Sequence, residues 1–355
     1  MSGTSTDGID VILADLAAKT PRVISFHSVA FPPSLRRELL ALNTVGENEI
    51  ERSQLAANAL AQLYAHAVNT VLANSKTTPK EIAAIGCHGQ TVRHRPELGF
   101  TLQLNNGALL AELTAVNVVT DFRSRDIAAG GQGAPLVPAF HDGVFRSETE
   151  TRVVVNIGGI ANMTVLEPGK PAWGFDSGPG GCLMDAWAEM HLGKRFDEDG
   201  AWAAQGQVLP RVLGHYLNDS YFQAAPPKST GRDHFNLEWL EQRLTGSENT
   251  VDVQATLLAL TANSISDNVK RYAPACTSVL VCGGGAYNTT LIAQIAQQLP
   301  RAKVARTDSL GVPVQQVEAL AFAWFAKQAV EGRAVDLRAT TGAKHAAVLG
   351  AIYRR

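Results

Sequence analysis

The feature that most limits the fold is a juncture used three times: a short apolar run meeting a glycine-rich turn. Residues 3–8 (GTSTDG) lead into the run 9–16, the run 152–156 ends in NIGGIAN (156–162), and the run 279–282 ends in GGGA (283–286). Glycine lets a chain reverse sharply and brings backbone N–H groups close to an anion. Short apolar strands closed by such turns, with longer amphipathic stretches between them, describe an α/β chain. The 31 glycines among 355 residues fit that reading, and this length suits two domains better than one core. Taken singly, each turn is an ordinary structural turn. No GxxxxGK[ST] loop occurs, and no GxGxxG opens a strand–helix unit.

The two halves follow a similar plan. In the first, 9–16 and 22–31 read as the strands of an antiparallel ribbon. Residues 47–74 read as one long helix, with Ile50, Leu55, Leu60, Leu63, Val68 and Val71 at near-helical spacing. Strands follow at 82–87 (ending in His88-Gly89-Gln90-Thr91), 100–104 and 116–120, with a helix at 107–113. Residues 121–138 (DFRSRDIAAGGQGAPLVP) interrupt this with two arginines, two aspartates, three glycines and two prolines. The expected division falls there, with 1–122 as one domain and 123–355 as the other. In the second half, 152–156 and 162–166 read as a hairpin, 185–192 and 252–272 as helices, 279–282 as a buried strand and 314–330 as a helix. The duplication is one of pattern, without a short-period repeat.

Composition narrows the partners. Net charge is −2 and the pI about 6.5, with no Lys/Arg run, so a nucleic acid or a membrane surface has no electrostatic support. No stretch approaches the roughly 20 apolar residues that span a bilayer. The N-terminus lacks a basic segment followed by an apolar one, so a soluble, cytoplasmic protein is expected. Cys87, Cys182, Cys276 and Cys282 share no CxxC spacing and read as buried free thiols in a reducing compartment.

The three turns supply the candidate phosphate contacts: Gly3, Gly8, Asn156, Gly158, Gly159, Gly283, Gly284 and Gly285, with hydroxyls from Thr4 and Ser5. Asp7 is the candidate for a hydrated Mg²⁺, an ion that prefers oxygen ligands and keeps several waters. This set resembles the two phosphate loops and the adenosine loop of the actin/hexokinase/Hsp70 superfamily. The resemblance implies a two-domain actin-like ATPase (ribonuclease H-like) fold with ATP and sugar in the cleft between domains.

A narrower resemblance rests on several segments together: MSGTSTDGID (1–10), CHGQTVRHRP (87–96), DFRSRDIAAGGQGAPLVPAFH (121–141), NIGGIAN (156–162), GFDSGPGG (174–181), DGAWAAQGQV (199–208), PKSTGRDHFN (227–236) and VLVCGGGAYN (279–288). In order and over nearly the whole chain, they resemble the anhydro-N-acetylmuramic acid kinase family. The resemblance implies that ATP and water act on 1,6-anhydro-N-acetylmuramic acid to give N-acetylmuramic acid 6-phosphate and ADP. It implies a role in peptidoglycan recycling and a homodimer. Asp176 matches the family's catalytic aspartate, the general base that takes a proton from the attacking water. Read without the resemblance, an Asp between Phe and Ser-Gly is a turn or a helix cap.

Other positions keep two readings. Arg123, Arg125 and Asp126 suit the sugar's lactyl carboxylate, or an interdomain salt bridge. Gln90 ends a strand facing the presumed cleft, and His88 beside it reads as scaffold. Glu318 suits sugar or magnesium, or an ordinary helix-end charge. Gly178–Gly181 precede a helix whose free N–H groups would face an anion. Lys228, Ser229, Thr230 and Arg232 read as a lid over the sugar or as a solvated loop. Members of the family usually carry a short apolar strand ahead of MSGTS, so the phosphate loop here is expected to be tethered on one side only and ATP binding weakened. Alternatives are a plain amino-sugar kinase of the same fold, a non-catalytic ATP-dependent switch protein, and an inactive remnant.

Overall fold

The computed structural model describes residues 1–3, 6 and 8–355, so Thr4, Ser5 and Asp7 lie outside the described residues. In chain order the strands are β1 (Gly8–Asp15), β2 (Arg22–Ala30), β3 (Ile85–Gly86), β4 (Gln90–Arg95), β5 (Phe100–Leu104) and β6 (Val118–Thr120). They continue as β7 (Thr151–Ile157), β8 (Ile160–Leu166), β9 (Trp173–Pro179), β10 (Cys276–Cys282), β11 (Lys303–Arg306) and β12 (Ala351–Tyr353). The helices that position these strands and the site are α1 (Glu49–Ser75), α2 (Gly107–Thr114), α3 (Ser124–Ala128), α4 (Cys182–Leu192), α5 (Thr250–Tyr272), α6 (Thr289–Gln298) and α7 (Val317–Val330).

The chain divides into two compact units. One is Met1–Val144 with Gln316–Arg355, and the other is Phe145–Gln315. This differs from the expected division at residues 122 and 123, for two physical reasons. The glycine-rich segment after β6 is stitched into the first unit: Asp126 accepts from Gly133 N (2.7 Å) and from Thr341 Oγ1 (2.8 Å). The C-terminal segment also returns to the first unit, where α7 packs on β1 and β3, and β12 pairs antiparallel with β6.

The second unit is built on one sheet in the order β11-β10-β7-β8-β9. β7, β8 and β9 form an antiparallel meander, while β10 runs parallel to β7 and β11 parallel to β10. Numbered from β7, the order is 3-2-1-4-5 with only the second strand reversed, the ribonuclease H-like arrangement that the resemblance implies. Val153, Val154 and Val155 in β7 and Val279, Leu280 and Val281 in β10 are buried runs, as strands covered on both faces require. α5 covers the sheet and is capped by Asn249, whose side chain accepts from Val251 N.

In the first unit the described strands make three separate sheets: β1-β2, β12-β6-β3 and β4-β5. β1 pairs antiparallel with β2, and β3 runs parallel to β6. Between β1 and the 83–87 segment lies a mostly apolar cavity of about 820 Å³, walled by Tyr64, Val68 and Val71 of α1 and Ala319, Ala323 and Ala326 of α7. Met1 reaches it. Its ammonium donates to Asp10 O (2.7 Å), and Asp10 N donates back to Met1 O (2.8 Å), a reciprocal antiparallel pair. Burial pushes that ammonium's pKa down.

All four cysteines are buried and free. No helix among the described residues is long and apolar enough to cross a membrane.

Candidate active site

The glycine turns of the second unit converge. The turn between β7 and β8 carries Gly158 and Gly159, and β10 ends beside β7, with Cys282 opposite Asn156. Gly283 holds φ +80°, and a Cβ there would press on Asn156 Oδ1 and the Ile157 carbonyl. A Cβ on Gly285 would meet the Ile157 side chain, whereas Gly284 has open space above it. Only glycine allows this approach of two backbones, and Gly284 leaves bare main chain facing outward. Asn156, Gly158, Gly159, Gly283, Gly284 and Gly285 therefore lie in one neighbourhood.

The expectation for Gly178–Gly181 is corrected. The N–H groups ahead of α4 are not free: Gly180 N donates to Gly159 O (2.9 Å), Gly181 N to Gly158 O (2.8 Å) and Cys182 N to Gly159 O (3.1 Å). The orphan donors of a helix start are spent on fixing the β7–β8 turn. The helix start acts on that turn and does not offer these amides to a ligand.

Asp176 stands in the body of β9, opposite Asn162 of β8, and is neither a turn residue nor a cap. The Asp-Ser-Gly-Pro chemistry suggests a bend, but pairing with β8 overrides it, and Pro179 falls at the end of an edge strand, where a missing N–H is tolerated. Asp176 Oδ2 accepts from Thr230 N (3.0 Å), its own N–H donates to Lys228 O (3.2 Å), and Tyr221 Oη donates to its carbonyl (2.6 Å). Burial raises the carboxyl's pKa, and the Thr230 N–H partly offsets this by favouring the ion. The result is a half-buried carboxylate, aimed by one oxygen, with a basicity above that of an ordinary aspartate.

Several groups of this unit carry no sequence signature. Thr230 N is a backbone donor from a loop 54 residues downstream of Asp176. Thr230 Oγ1 is buried without a partner among the described residues. Tyr221 binds through its hydroxyl, with Lys228 Nζ 4.7 Å from its ring centroid. Asp185, in the first turn of α4, is pushed up to about 6 by burial, against the pull of Arg232. Only the polar run 228–232 drew attention to this region in the sequence.

The first unit holds the other predicted residues. Gln90 is buried at the start of β4 and donates from Nε2 to Gly3 O (3.2 Å), while its Oε1 finds no partner among the described residues. Ser2 Oγ donates to Gly89 O (3.0 Å), so the 87–90 turn is tied to the chain start. Gly8 opens β1 opposite Ala30. Arg123 donates to Gly133 O (2.7 Å) and, from Nε, to His88 Nε2 (3.0 Å). Burial pulls this guanidinium down to about 10 and keeps the His88 imidazole neutral. Arg123 and Asp126 thus hold the glycine-rich loop within their own unit. Arg125 is exposed. Glu318, in the first turn of α7, is reached by solvent yet ringed by protein, and that desolvation raises its carboxyl against the pull of Arg123. Among the described residues no group of three His, Cys, Asp or Glu side chains gathers to hold a metal, and Asp7, the expected Mg²⁺ ligand, is not among them.

The sequence model of the anhydro-N-acetylmuramic acid kinase family matches residues 1–355. The chain belongs to the anhydro-N-acetylmuramic acid kinase family. Relatives bearing that name are similar over almost their full length. The one from Bordetella pertussis is 53% identical over 358 residues, covering 99% of this chain and 94% of the relative. The one from Nitrosomonas europaea is 51% identical over 355 residues (99% and 98%), and the one from Pseudomonas fluorescens 49% over 358 residues (99% and 98%). Among members of this kinase family, the chain thus has Asp176, its loop and the converging glycine turns in one unit.

Proposed function

We propose that the protein uses ATP and water to open the 1,6-anhydro bond of 1,6-anhydro-N-acetylmuramic acid and to phosphorylate O6. The products are N-acetylmuramic acid 6-phosphate and ADP. The observation that carries this reading is the Asp176 carboxylate, partly desolvated, held by Thr230 N through one oxygen, and set in the unit where the glycine turns meet. Asp176 takes a proton from water as the water oxygen bonds to C1. The C1–O6 bond breaks, O6 bonds to the γ-phosphorus, and the bond from that phosphorus to the β–γ bridging oxygen breaks. Phosphoryl transfer asks the protein mainly for positioning and charge neutralisation.

ATP is proposed to bind the turns at Asn156–Gly159 and Gly283–Gly285, with Gly3, Thr4, Ser5 and Gly8 as further phosphate contacts. Magnesium, with Asp7 as its expected ligand, supplies charge neutralisation on the phosphates when bound. Gln90, Arg123, Arg125, Asp126 and Glu318 remain proposed contacts of the sugar. A homodimer acting in the cytoplasm, in peptidoglycan recycling, belongs to the same proposal.

The test is turnover of the anhydro sugar with Mg-ATP by wild type and by Asp176→Asn, with N-acetylglucosamine and N-acetylmuramic acid as competing acceptors. Loss of a general base costs about 10²- to 10⁴-fold in rate, so the variant is expected to fall by that factor while still binding ADP. Preferred turnover of a non-anhydro sugar would replace this reading with a plain amino-sugar kinase.

A further inference from the structure

The loop that aims Asp176 also reaches the phosphate turn. Its backbone is fixed at several points: Lys228 O accepts from Asp176 N, Thr230 N donates to Asp176 Oδ2, and Phe235 N donates to Gly231 O (3.0 Å). Phe235 is buried at its far end. Within this ordered turn, the guanidinium of Arg232 lies over Gly159. A Cβ built on Gly159 would stand 3.0 Å from Arg232 Nη2 and 3.1 Å from Nε. Arg232 is exposed and makes no ion pair within the described residues. Asp185 feels its charge without closing on it.

A cation with no paired carboxylate among the described residues, carried beside a glycine turn, is placed to meet an anion. Arginine presents a planar fork that matches phosphoryl oxygens and stays charged. A merely solvated lid residue would have no reason to lie on the β7–β8 turn. We infer that Arg232 is a catalytic residue whose guanidinium neutralises the phosphoryl group in flight from ATP, on the same loop whose Thr230 N–H aims the base. It forms and breaks no covalent bond. This rests on the proposed phosphoryl transfer, and it adds that one loop couples the water-activating and phosphoryl-transferring halves of the reaction.

Arg232→Ala and Arg232→Lys test it against wild type in three measurements. The first is kcat and KM with Mg-ATP and the anhydro sugar. A charge-neutralising arginine is worth about 10³-fold or more, so Arg232→Ala should lose about that in kcat, with Arg232→Lys intermediate and added guanidinium restoring part of the loss. The second is calorimetric binding of Mg-ADP, expected to stay within about twofold of wild type, as charge neutralisation in transit predicts. The third is binding of Mg-ADP with aluminium fluoride, a mimic of the transferring group. It should bind wild type far more tightly than ADP alone, and Arg232→Ala no more tightly than ADP alone. A kcat loss under about fivefold, or a change confined to the sugar's KM, would overturn the inference, the latter assigning Arg232 to the sugar carboxylate. If wild type turns over no anhydro sugar yet binds the fluoride complex in an Arg232-dependent way, the substrate reading fails and Arg232 stands. If the fluoride complex binds both proteins alike, the inference fails whatever the turnover.

Discussion

In the second unit β10 bonds directly to β7, so the meander β7-β8-β9 and the parallel pair β10-β11 form one continuous sheet. The first unit has the same two pieces, an antiparallel pair β1-β2 and a parallel pair β3-β6, but β1 and β3 share no hydrogen bond among the described residues. They lie along opposite sides of the 820 Å³ cavity, with α1 and α7 as its walls. The second unit therefore carries its glycine turns on one continuous sheet, whereas in the first Gly8 opens β1 of a separate two-stranded sheet.

The largest expected effect of that difference is in hydrogen exchange. Asp10 N points to Met1, so Ile12 N, two residues on, points into the cavity; Ile85 N and Cys87 N bond to the β6 side, so Gly86 N points the other way. Exposed edge amides open locally at low cost. Ile12 and Gly86 should exchange at least about a hundredfold faster than Val154 and Leu280 at the centre of the other sheet. Equal protection in both units would break the comparison.

The smallest effect lies in the second unit. The Asp185 carboxyl titrates near 6 in the fold against 3.8 in its absence. The folded chain binds this proton more tightly, so the stability it contributes is present at low pH and lost as pH rises from about 4 to about 6. Above that, the ionised group costs at most about 3 kcal/mol. Asp185→Asn should therefore melt a few degrees higher than wild type at pH 7.5, with the gap closing near pH 4. A gap independent of pH would place the effect in packing.

Much of this was legible in the sequence. Helical periodicity points to α1 and α5, and short apolar runs bounded by glycine-rich turns point to β1 and the β7–β8 hairpin. Asp-Ser-Gly-Pro is turn chemistry, so the sequence does not announce β9, whose strand exists only through its pairing with β8. β11 and β12 are short edge strands whose pairing partners are distant in sequence. The glycine turns were visible as turns, but that two of them meet at Asn156 and Ile157 is a fact of the sheet. Asp176 stood out only through the family resemblance. The group that aims it, Thr230 N, is a main-chain donor that any residue but proline supplies, so no residue type could signal it. The domain boundary was misplaced because a glycine- and proline-rich segment resembles a linker, while Asp126 and Arg123 knot it into the first unit.

The most direct test of the central claim is the fate of the water oxygen. Wild-type protein would be given Mg-ATP and 1,6-anhydro-N-acetylmuramic acid in ¹⁸O-water, and the sugar 6-phosphate read by mass spectrometry at times short enough to precede anomeric exchange. The proposed reaction predicts one ¹⁸O at C1 of the phosphorylated product from the first turnovers, and almost no product from Asp176→Asn. A phosphorylated sugar that retains its anhydro bond, or one that Asp176→Asn forms at the wild-type rate, would contradict it.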